Sequence, residues 1–248
     1  MKYIYLSIIT IMLVSCGENV SSSTSKAGSL SRFAISGDYL YTINTRQMNI
    51  FDISDAKNPV ATSKINMPMD IETLFPYKNY LYVGSNTGMY IYNNDVKTQP
   101  TFVTKFNHAY SCNPVIVYED VAYVTLNTNE NCNIFRSNDT NALEIIDVKN
   151  PLDIKLIKRV DMWSPTGLSI DNNKLFICDG SNGLKTFDIN KTDINSSINI
   201  SLTSQGTYPD INCYDIIANN NNLIISNKTN ILQYNYNSFP MLELGKIK

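Results

Sequence analysis

The chain has few of the residues that enzymes and metal sites use most often. Among its 248 residues it has one histidine, His108, and one tryptophan, Trp163. None of its five cysteines forms a Cys-x-x-Cys pair of the kind that binds zinc. The GxSxG, HExxH and phosphate-loop motifs are also absent from the sequence. The sequence therefore predicts no metal and no cofactor, and it favours a noncatalytic protein over an enzyme.

The sequence also has no large excess of positive or negative charge. Charged residues make up 17% of the chain, and 20 Lys and Arg face 22 Asp and Glu, for a net charge of −2. The basic residues are scattered and form no stripe or cluster along the sequence. Nucleic-acid binding needs a concentrated positive surface. We therefore expect no nucleic-acid partner.

Long apolar runs are absent except at the N-terminus. Met1–Ser15 has one lysine followed by a short apolar stretch, which is typical of a secretory signal peptide and too short for a stable membrane span. Leu13–Cys16 (LVSC) resembles the bacterial lipobox, in which the cysteine is acylated and becomes the first residue. The alternative is an ordinary signal peptide that happens to contain a cysteine.

The lipobox resemblance implies a location. Acyl chains on Cys16 would hold the protein at a membrane, since each buried methylene contributes about 0.8 kcal/mol. Residues 16–31 then form the lipidated cysteine and a polar, flexible tether. Gly17 does not resemble the inner-membrane retention signal, so we expect the outer membrane of a cell envelope. The sequence leaves the leaflet open.

A repeated unit organises residues 32–248. In Lys174–Asp188 (KLFICDGSNGLKTFD), an apolar run, a polar turn and a second apolar run follow one another. Each such unit is flanked by two further short runs, which gives four strand-like runs in about 40 to 50 residues, as in a β-propeller. The sequence predicts an all-β propeller of about five four-stranded blades, with a β-sandwich or an open solenoid as alternatives. The repeats lie near 32–67, 70–108, 112–162, 164–204 and 210–248.

The order of the runs also predicts how the chain is threaded. The first repeat begins with its innermost strand, and the last repeat ends with its outermost strand. No blade should therefore combine strands from both ends of the chain. Closure of the ring would depend on packing between blade faces, with residues before Arg32 able to contribute.

Four cysteines remain after Cys16, and in an exported protein they can form disulfides. Cys112 precedes the first strand of the third blade, and Cys132 lies in the insertion after its second strand, on the same side of the disc. We therefore predict a Cys112–Cys132 bond. We interpret Cys178 and Cys213 as buried free thiols, with a bond between them as the alternative.

Two segments resemble a known family. Asn49–Pro59 (NIFDISDAKNP) and Leu143–Pro151 (LEIIDVKNP) resemble the LVIVD repeat of bacterial and archaeal surface proteins, and Leu175–Ile189 is similar to another blade of that family. The resemblance implies a propeller at the cell surface and no established catalytic motif. From the residues themselves, we expect the Asp or Asn after each third run to accept backbone N–H groups in the next turn.

The connections between blades carry most of the aromatic and acidic residues that could bind a partner. Loops on a rigid scaffold are frequent binding surfaces. The candidate binding residues are His108, Tyr110, Trp163, Tyr208, Tyr214, Asp70 and Asp215. We expect a lipid-anchored, noncatalytic binding or scaffold module for an envelope protein or glycan. The alternative is a carbohydrate-active enzyme that uses two acidic residues at the channel mouth, such as Asp70 and Asp215.

Overall fold

The computed structural model describes residues 28–68, 70–108, 114–128, 141–194, 197–227 and 229–247. Every strand in this part of the chain belongs to one of five four-stranded antiparallel sheets. The sheets are the blades of a five-bladed β-propeller, which confirms the predicted fold class. The predicted signal peptide and tether lie outside the described residues, apart from 28–31.

The blades follow one another along the chain, and each adds its strands in sequence order. Blade one contains β1 (Phe33–Ser36), β2 (Tyr39–Ile43), β3 (Gln47–Asp52) and β4 (Val60–Asn66). Blade two contains β5 (Ile71–Tyr77), β6 (Tyr80–Ser85), β7 (Gly88–Asn93) and β8 (Thr101–Asn107). Blade three contains β9 (Val115–Tyr118), β10 (Val121–Leu126), β11 (Ala142–Asp147) and β12 (Lys155–Asp161). Blade four contains β13 (Leu168–Asp171), β14 (Lys174–Cys178), β15 (Leu184–Ile194) and β16 (Ser197–Tyr208). Blade five contains β17 (Asp215–Asn219), β18 (Asn222–Ser226), β19 (Ile231–Asn235) and β20 (Leu242–Ile247).

No sheet mixes strands from the two ends of the chain, as the sequence predicted. The outer hairpin of blade four differs from the prediction, because β15 and β16 are longer than the apolar runs that marked them. Their pairing continues from Asp188 opposite Thr203 out to Ile194 opposite Ser197. Apolar runs underestimate these strands because backbone pairing can extend beyond the packed part of a sheet.

Asparagine forms two of the tight hairpins. Two-residue loops join first to second strands at Asn172–Asn173 and at Asn220–Asn221, and all four of these residues have positive φ. This backbone shape matches the twist of a β-hairpin, and Asn tolerates it better than most residues. The Asn content of the turns therefore has a structural explanation.

Most third strands end on an Asp or Asn that caps the following turn, as expected. Asp52 accepts the N–H of Ser54 at 2.9 Å, and Asn93 accepts the N–H of Asp95 at 2.9 Å. Asp188 is the exception. Because β15 continues past it, its carboxylate instead binds side chains of neighbouring strands.

The three middle blades are buried on both faces. In β6, β10 and β14 nearly every residue is buried, whichever face of the sheet its side chain points to. This pattern is expected where a blade packs against a neighbour on each side. Four apolar clusters form these contacts, and they join blades one to two, two to three, three to four and four to five.

The two terminal blades are buried on one face only. In β2, β3, β18 and β19 buried and less buried residues alternate. Phe33 in blade one is 55% exposed and Ile224 in blade five is 44% exposed. Among the described residues, no apolar cluster joins blade five to blade one.

A short N-terminal segment, Gly28–Ser31, links the blades at the centre of the ring. The Ser29 side chain accepts the N–H of Leu168 at 2.8 Å and donates to Asp215 at 3.5 Å. The Ser31 carbonyl accepts the N–H of Leu74 at 3.0 Å. The segment therefore bonds to the inner strands of blades two, four and five before β1 begins, which is how residues before Arg32 contribute to closure.

Candidate functional site

One side of the disc, which we call the loop face, gathers two sets of connections. In each blade the first and third strands begin there, and the second and fourth strands end there. It therefore carries the loops from one blade to the next and the turns between second and third strands. Hydrogen bonds join the two sets: Thr166 N–H donates to the Cys178 carbonyl at 2.8 Å, and Tyr214 N–H donates to the Ser226 carbonyl at 2.8 Å.

A disulfide joins blades four and five at this face. Cys178 ends β14 and Cys213 precedes β17, with their Cα atoms 5.1 Å apart and the sulfurs bonded. The interpretation of these two cysteines as free thiols is therefore wrong. Spacing along the chain does not show that the end of a second strand lies beside the start of the next blade. Cys112 and Cys132 lie outside the described residues, so their bond remains a prediction.

A buried carboxylate shapes the loop beside this disulfide. Asp179 Oδ1 accepts the N–H groups of Trp163 and Ser164, both at 2.9 Å. Its Oδ2 is 2.6 Å from the Lys185 ammonium. The side chain of Asp179 is fully buried, so removing one partner would leave buried polar groups unpaired at high cost. Two hydrogen bonds from the loop between Met162 and Thr166 to Asp179 therefore hold this loop, and Lys185 in β15 holds Asp179.

The turn that carries Asp179 depends on glycine. Gly180 and Gly183 have φ angles of 57° and 70°, which favour glycine. A side chain on Gly183 would meet the Tyr208 carbonyl at 2.0 Å. The turn can therefore lie close against the end of β16 only because Gly183 lacks a Cβ, and a Cβ on Gly180 would meet Ser164 at 2.8 Å.

A pocket of about 290 Å³ opens between blades four and five above the disulfide. The described residues in its walls carry hydroxyl, amide and aromatic groups, and none of them is an Asp, Glu, Lys, Arg or His. The lining residues are Ser164, Thr166, Gly180, Asn212, Cys213, Tyr214 and Thr229.

Two of the predicted binding residues belong to this pocket or border it. Tyr214 lines it and is 37% exposed. Trp163 is the residue next to Ser164 and is 60% exposed. Tyr208 is half-buried at the end of β16 and packs against the cluster between blades four and five. Burial raises the pKa of its hydroxyl.

Other predicted residues lie elsewhere. His108 is half-buried after β8, and Tyr110 lies outside the described residues. Asp70 is exposed and accepts the side-chain amide of Asn86 at 3.0 Å. Neither His108 nor Asp70 is among the described residues that line the pocket.

Asp215 has a different environment from Asp70. Its carboxylate accepts bonds from Ser29, from Leu30 N–H and from its neighbour Ile216, and burial raises its pKa above the ordinary 3.8. A Cβ on Gly28 or Gly167 would lie within 2.4 Å of its oxygens. Asp215 is therefore covered by the N-terminal segment, whereas Asp70 is exposed.

Several pocket residues were missed from the sequence. Ser164, Asn212 and Thr229 are common loop residues whose separation along the chain hides their proximity. The one available signal was the turn Asp179–Gly183 (DGSNG), where two glycines flank a short polar stretch. Such a turn predicts close backbone approach, but it does not predict which blade comes close.

The described residues contain no candidate metal site and no candidate membrane-spanning helix. No group of three or more His, Cys, Asp or Glu side chains there could hold a metal ion. No helix in this part of the chain has the length and hydropathy needed to cross a membrane.

Comparisons with known proteins identify the fold but no family. No family model matches the chain, and no curated protein matches it. A provisionally assigned 6-phosphogluconolactonase from Bacteroides fragilis superposes with a TM-score of 0.63 at 13% identity, over 87% of this chain and 69% of that one. AztD from Citrobacter koseri gives 0.59 at 12% identity, over 86% and 62%. The periplasmic gluconolactonase PpgL of Pseudomonas aeruginosa gives 0.52 at 12% identity, over 85% and 67%.

These similarities establish the class of protein, a β-propeller, and nothing about its chemistry, because the identities are low. The chain spans about two thirds of the length of each of these three structures. The resemblance to the LVIVD repeat stays a prediction.

Proposed function

We propose that this protein is a lipid-anchored, noncatalytic binding module of the cell envelope, which holds a protein or glycan partner at its loop face. The observation that carries the proposal is the rigid pocket between blades four and five, with Trp163 and Tyr214 exposed beside it. A disulfide and a buried carboxylate hold its walls. Preorganised walls reduce the entropy lost on binding, and exposed Trp and Tyr are frequent anchors for partners.

The position of the N-terminal segment determines which face of the disc a lipid on Cys16 would bring towards a membrane. Gly28 lies against Asp215 at the loop face, so a tether from Cys16 would leave the disc on that face. Cys16 to Ala27 is 12 residues, which reach about 40 Å when fully extended. A lipid on Cys16 would therefore keep the pocket within reach of partners at the same membrane surface.

Crosslinking of the full-length chain in native membranes tests the binding role. The Trp163→Ala variant should lose the crosslinked partner that the unchanged protein recovers. Leu152→Ala is the matched control, because Leu152 is 79% exposed and lies between third and fourth strands on the opposite face. Equal recovery by both variants would reject the loop face as the binding surface.

The lipid anchor has a separate test. Cys16→Ser should abolish labelling by a radioactive fatty acid and release the protein from the membrane fraction. Continued labelling, or membrane retention that does not depend on Cys16, would reject the anchor without affecting the binding role.

One observation favours the enzyme alternative. Burial raises the pKa of Asp215, which is a property of general acids in glycosidases. However, Ser29 and Leu30 cover this carboxylate, and no acid lines the pocket. Hydrolysis of an envelope glycan by the purified chain, abolished by Asp215→Asn, would establish the enzyme and reject the noncatalytic role.

A further inference from the structure

None of the described residues that line the pocket between blades four and five carries a charge. The carboxylate of Asp179, which precedes the lining residue Gly180, is fully buried and is engaged by Lys185 and by the N–H groups of Trp163 and Ser164. Lys185 is committed to that same carboxylate at 2.6 Å. Phosphate and carboxylate ligands are normally held by Arg, Lys or a cluster of free N–H groups. The pocket therefore disfavours anionic ligands.

The polar groups that remain are hydroxyls and an amide. Ser164 Oγ accepts a bond from Asn127 at 3.1 Å, so its own hydrogen can still be donated. Thr166 Oγ1 donates to the Tyr214 carbonyl at 2.8 Å and keeps a lone pair. The exposed side chain of Asn212 offers both a donor and an acceptor. Groups that both donate and accept suit a ligand whose own hydroxyls do the same.

Aromatic side chains complete the site. Tyr214 lines the pocket, and Trp163 stands exposed at its edge. Aromatic rings offer a flat apolar surface with a polar group at one end, which matches a ligand with an apolar face and a hydroxylated rim. The volume of about 290 Å³ is at the lower end for small-molecule pockets, which limits the bound part to one small ring.

We propose that this pocket binds one uncharged sugar residue of an envelope glycan, with Ser164 and Asn212 bonding its hydroxyls and Tyr214 contacting its apolar face. The proposal rests on the binding role proposed above and narrows it to a neutral glycan. Protein partners and sugar phosphates become alternative outcomes of the test.

Trp163 provides the readout, because it is the only tryptophan in the chain. The purified chain is titrated with methyl glycosides of glucose, galactose, mannose and N-acetylglucosamine, and with glucose 6-phosphate as the charged counterpart. At least one neutral glycoside should give a saturable change in Trp163 emission, confirmed by calorimetry. Glucose 6-phosphate should bind at least tenfold more weakly than the neutral glycoside that binds most tightly.

Three variants separate this site from general surface effects. Ser164→Ala and Asn212→Ala should each weaken binding about tenfold, the cost of one lost hydrogen bond. Asn212 is exposed, so its variant should fold normally. Thr101→Ala is the control, because Thr101 lines a separate groove of about 550 Å³ between the outer strands of blades one and two. Its affinity should match that of the unchanged protein.

Two results would overturn the proposal. One is the absence of a saturable signal by both methods up to about 10 mM for every neutral glycoside, a limit that corresponds to very weak binding. The other is that the Ser164→Ala and Asn212→Ala variants both bind the glycoside as tightly as the unchanged protein does. If either occurs while Trp163→Ala still loses a crosslinked protein, the binding module stands and only its glycan specificity fails. If the crosslinked partner is also unaffected, both proposals fail.

Discussion

Ser29 and Asp215 are joined by a 3.5 Å hydrogen bond although 186 positions separate them in the chain. This contact ties the segment before blade one to the first strand of blade five. It matters because no apolar cluster of the described residues joins those two blades. Polar contacts of the N-terminal segment therefore connect blade five to the start of blade one. Apolar clusters connect the other four pairs of neighbouring blades.

The raised pKa of Asp215 predicts a pH dependence of stability. The folded chain keeps a proton on this carboxyl above the ordinary pKa of 3.8, where the unfolded chain has lost it. The stabilising contribution is therefore complete below pH 3.8 and is lost as the pH rises through the folded pKa. The Asn side chain in Asp215→Asn stays neutral at every pH. The free energy of unfolding of this variant should therefore increase relative to that of the unchanged protein as the pH rises.

Denaturant titrations from acid to neutral pH measure this difference. Asp52→Asn is the control of opposite sign, because its bond to Ser54 lowers the pKa of Asp52. The Asp52 contribution is present above its ordinary pKa and is lost as the pH falls, so Asp52→Asn should lose stability relative to the unchanged protein as the pH rises. A difference for Asp215→Asn that does not change with pH would contradict the assignment.

The disulfide between Cys178 and Cys213 should contribute strongly to stability. It joins residues 35 positions apart, and the chain-entropy relation gives about 4 kcal/mol for a loop of that size. The double variant Cys178→Ala/Cys213→Ala should lose a comparable amount of unfolding free energy under oxidising conditions. A peptide map of the unreduced protein should show Cys178 linked to Cys213, and the double variant should be insensitive to reductant unless the predicted Cys112–Cys132 bond also forms.

The fold was predictable because its signal is local. Each strand is a run such as Leu175–Cys178 that favours a pleated surface, and most positions of positive φ in the tight turns have Asn, Asp or Gly, with Lys78 and Glu119 as exceptions. The repetition of these local signals fixes the number of blades. The loop face and its aromatic residues followed from strand direction alone.

The pairing of side chains was not predictable, because it depends on which loops meet across blades. Cys178 and Cys213 look like isolated buried residues in the sequence, yet the end of β14 lies beside the start of β17. Asp215 looks like a surface acid at a channel mouth until Ser29 covers it. A contact across 186 positions leaves no trace in the local pattern of a single sequence.

The unpacked face of blade five gives a test of the ring itself. Ile224 and Ile225 are adjacent in β18, but Ile224 is 44% exposed and Ile225 is fully buried. Ile225→Ala should lower the free energy of unfolding by about 2 to 5 kcal/mol, because it leaves a cavity between blades four and five. Ile224→Ala should cost less than about 1 kcal/mol. Similar losses for the two variants would mean that blade one packs on blade five after all.

Two ion pairs in blade four should differ in strength although their geometry is similar. Asp179 and Lys185 are 2.6 Å apart with the carboxylate fully buried, whereas Asp188 and Lys174 are 2.8 Å apart with both side chains about one-third exposed. Asp179→Ala should cost about 3 kcal/mol or more, since it leaves buried groups unpaired. Asp188→Ala should cost about 1 kcal/mol or less, because exposed pairs are screened by water.

The same two variants also test whether Asp179 holds the loop that carries Trp163. Without its carboxylate, the N–H groups of Trp163 and Ser164 lose their acceptor, so the indole should become more mobile. Time-resolved fluorescence anisotropy of Trp163 should fall in Asp179→Ala and stay unchanged in Asp188→Ala, when both are measured under conditions where they are folded. If the anisotropy is the same in the two variants, then Asp179 stabilises the blade without positioning the binding loop, and the preorganised walls assigned to the pocket would need another source.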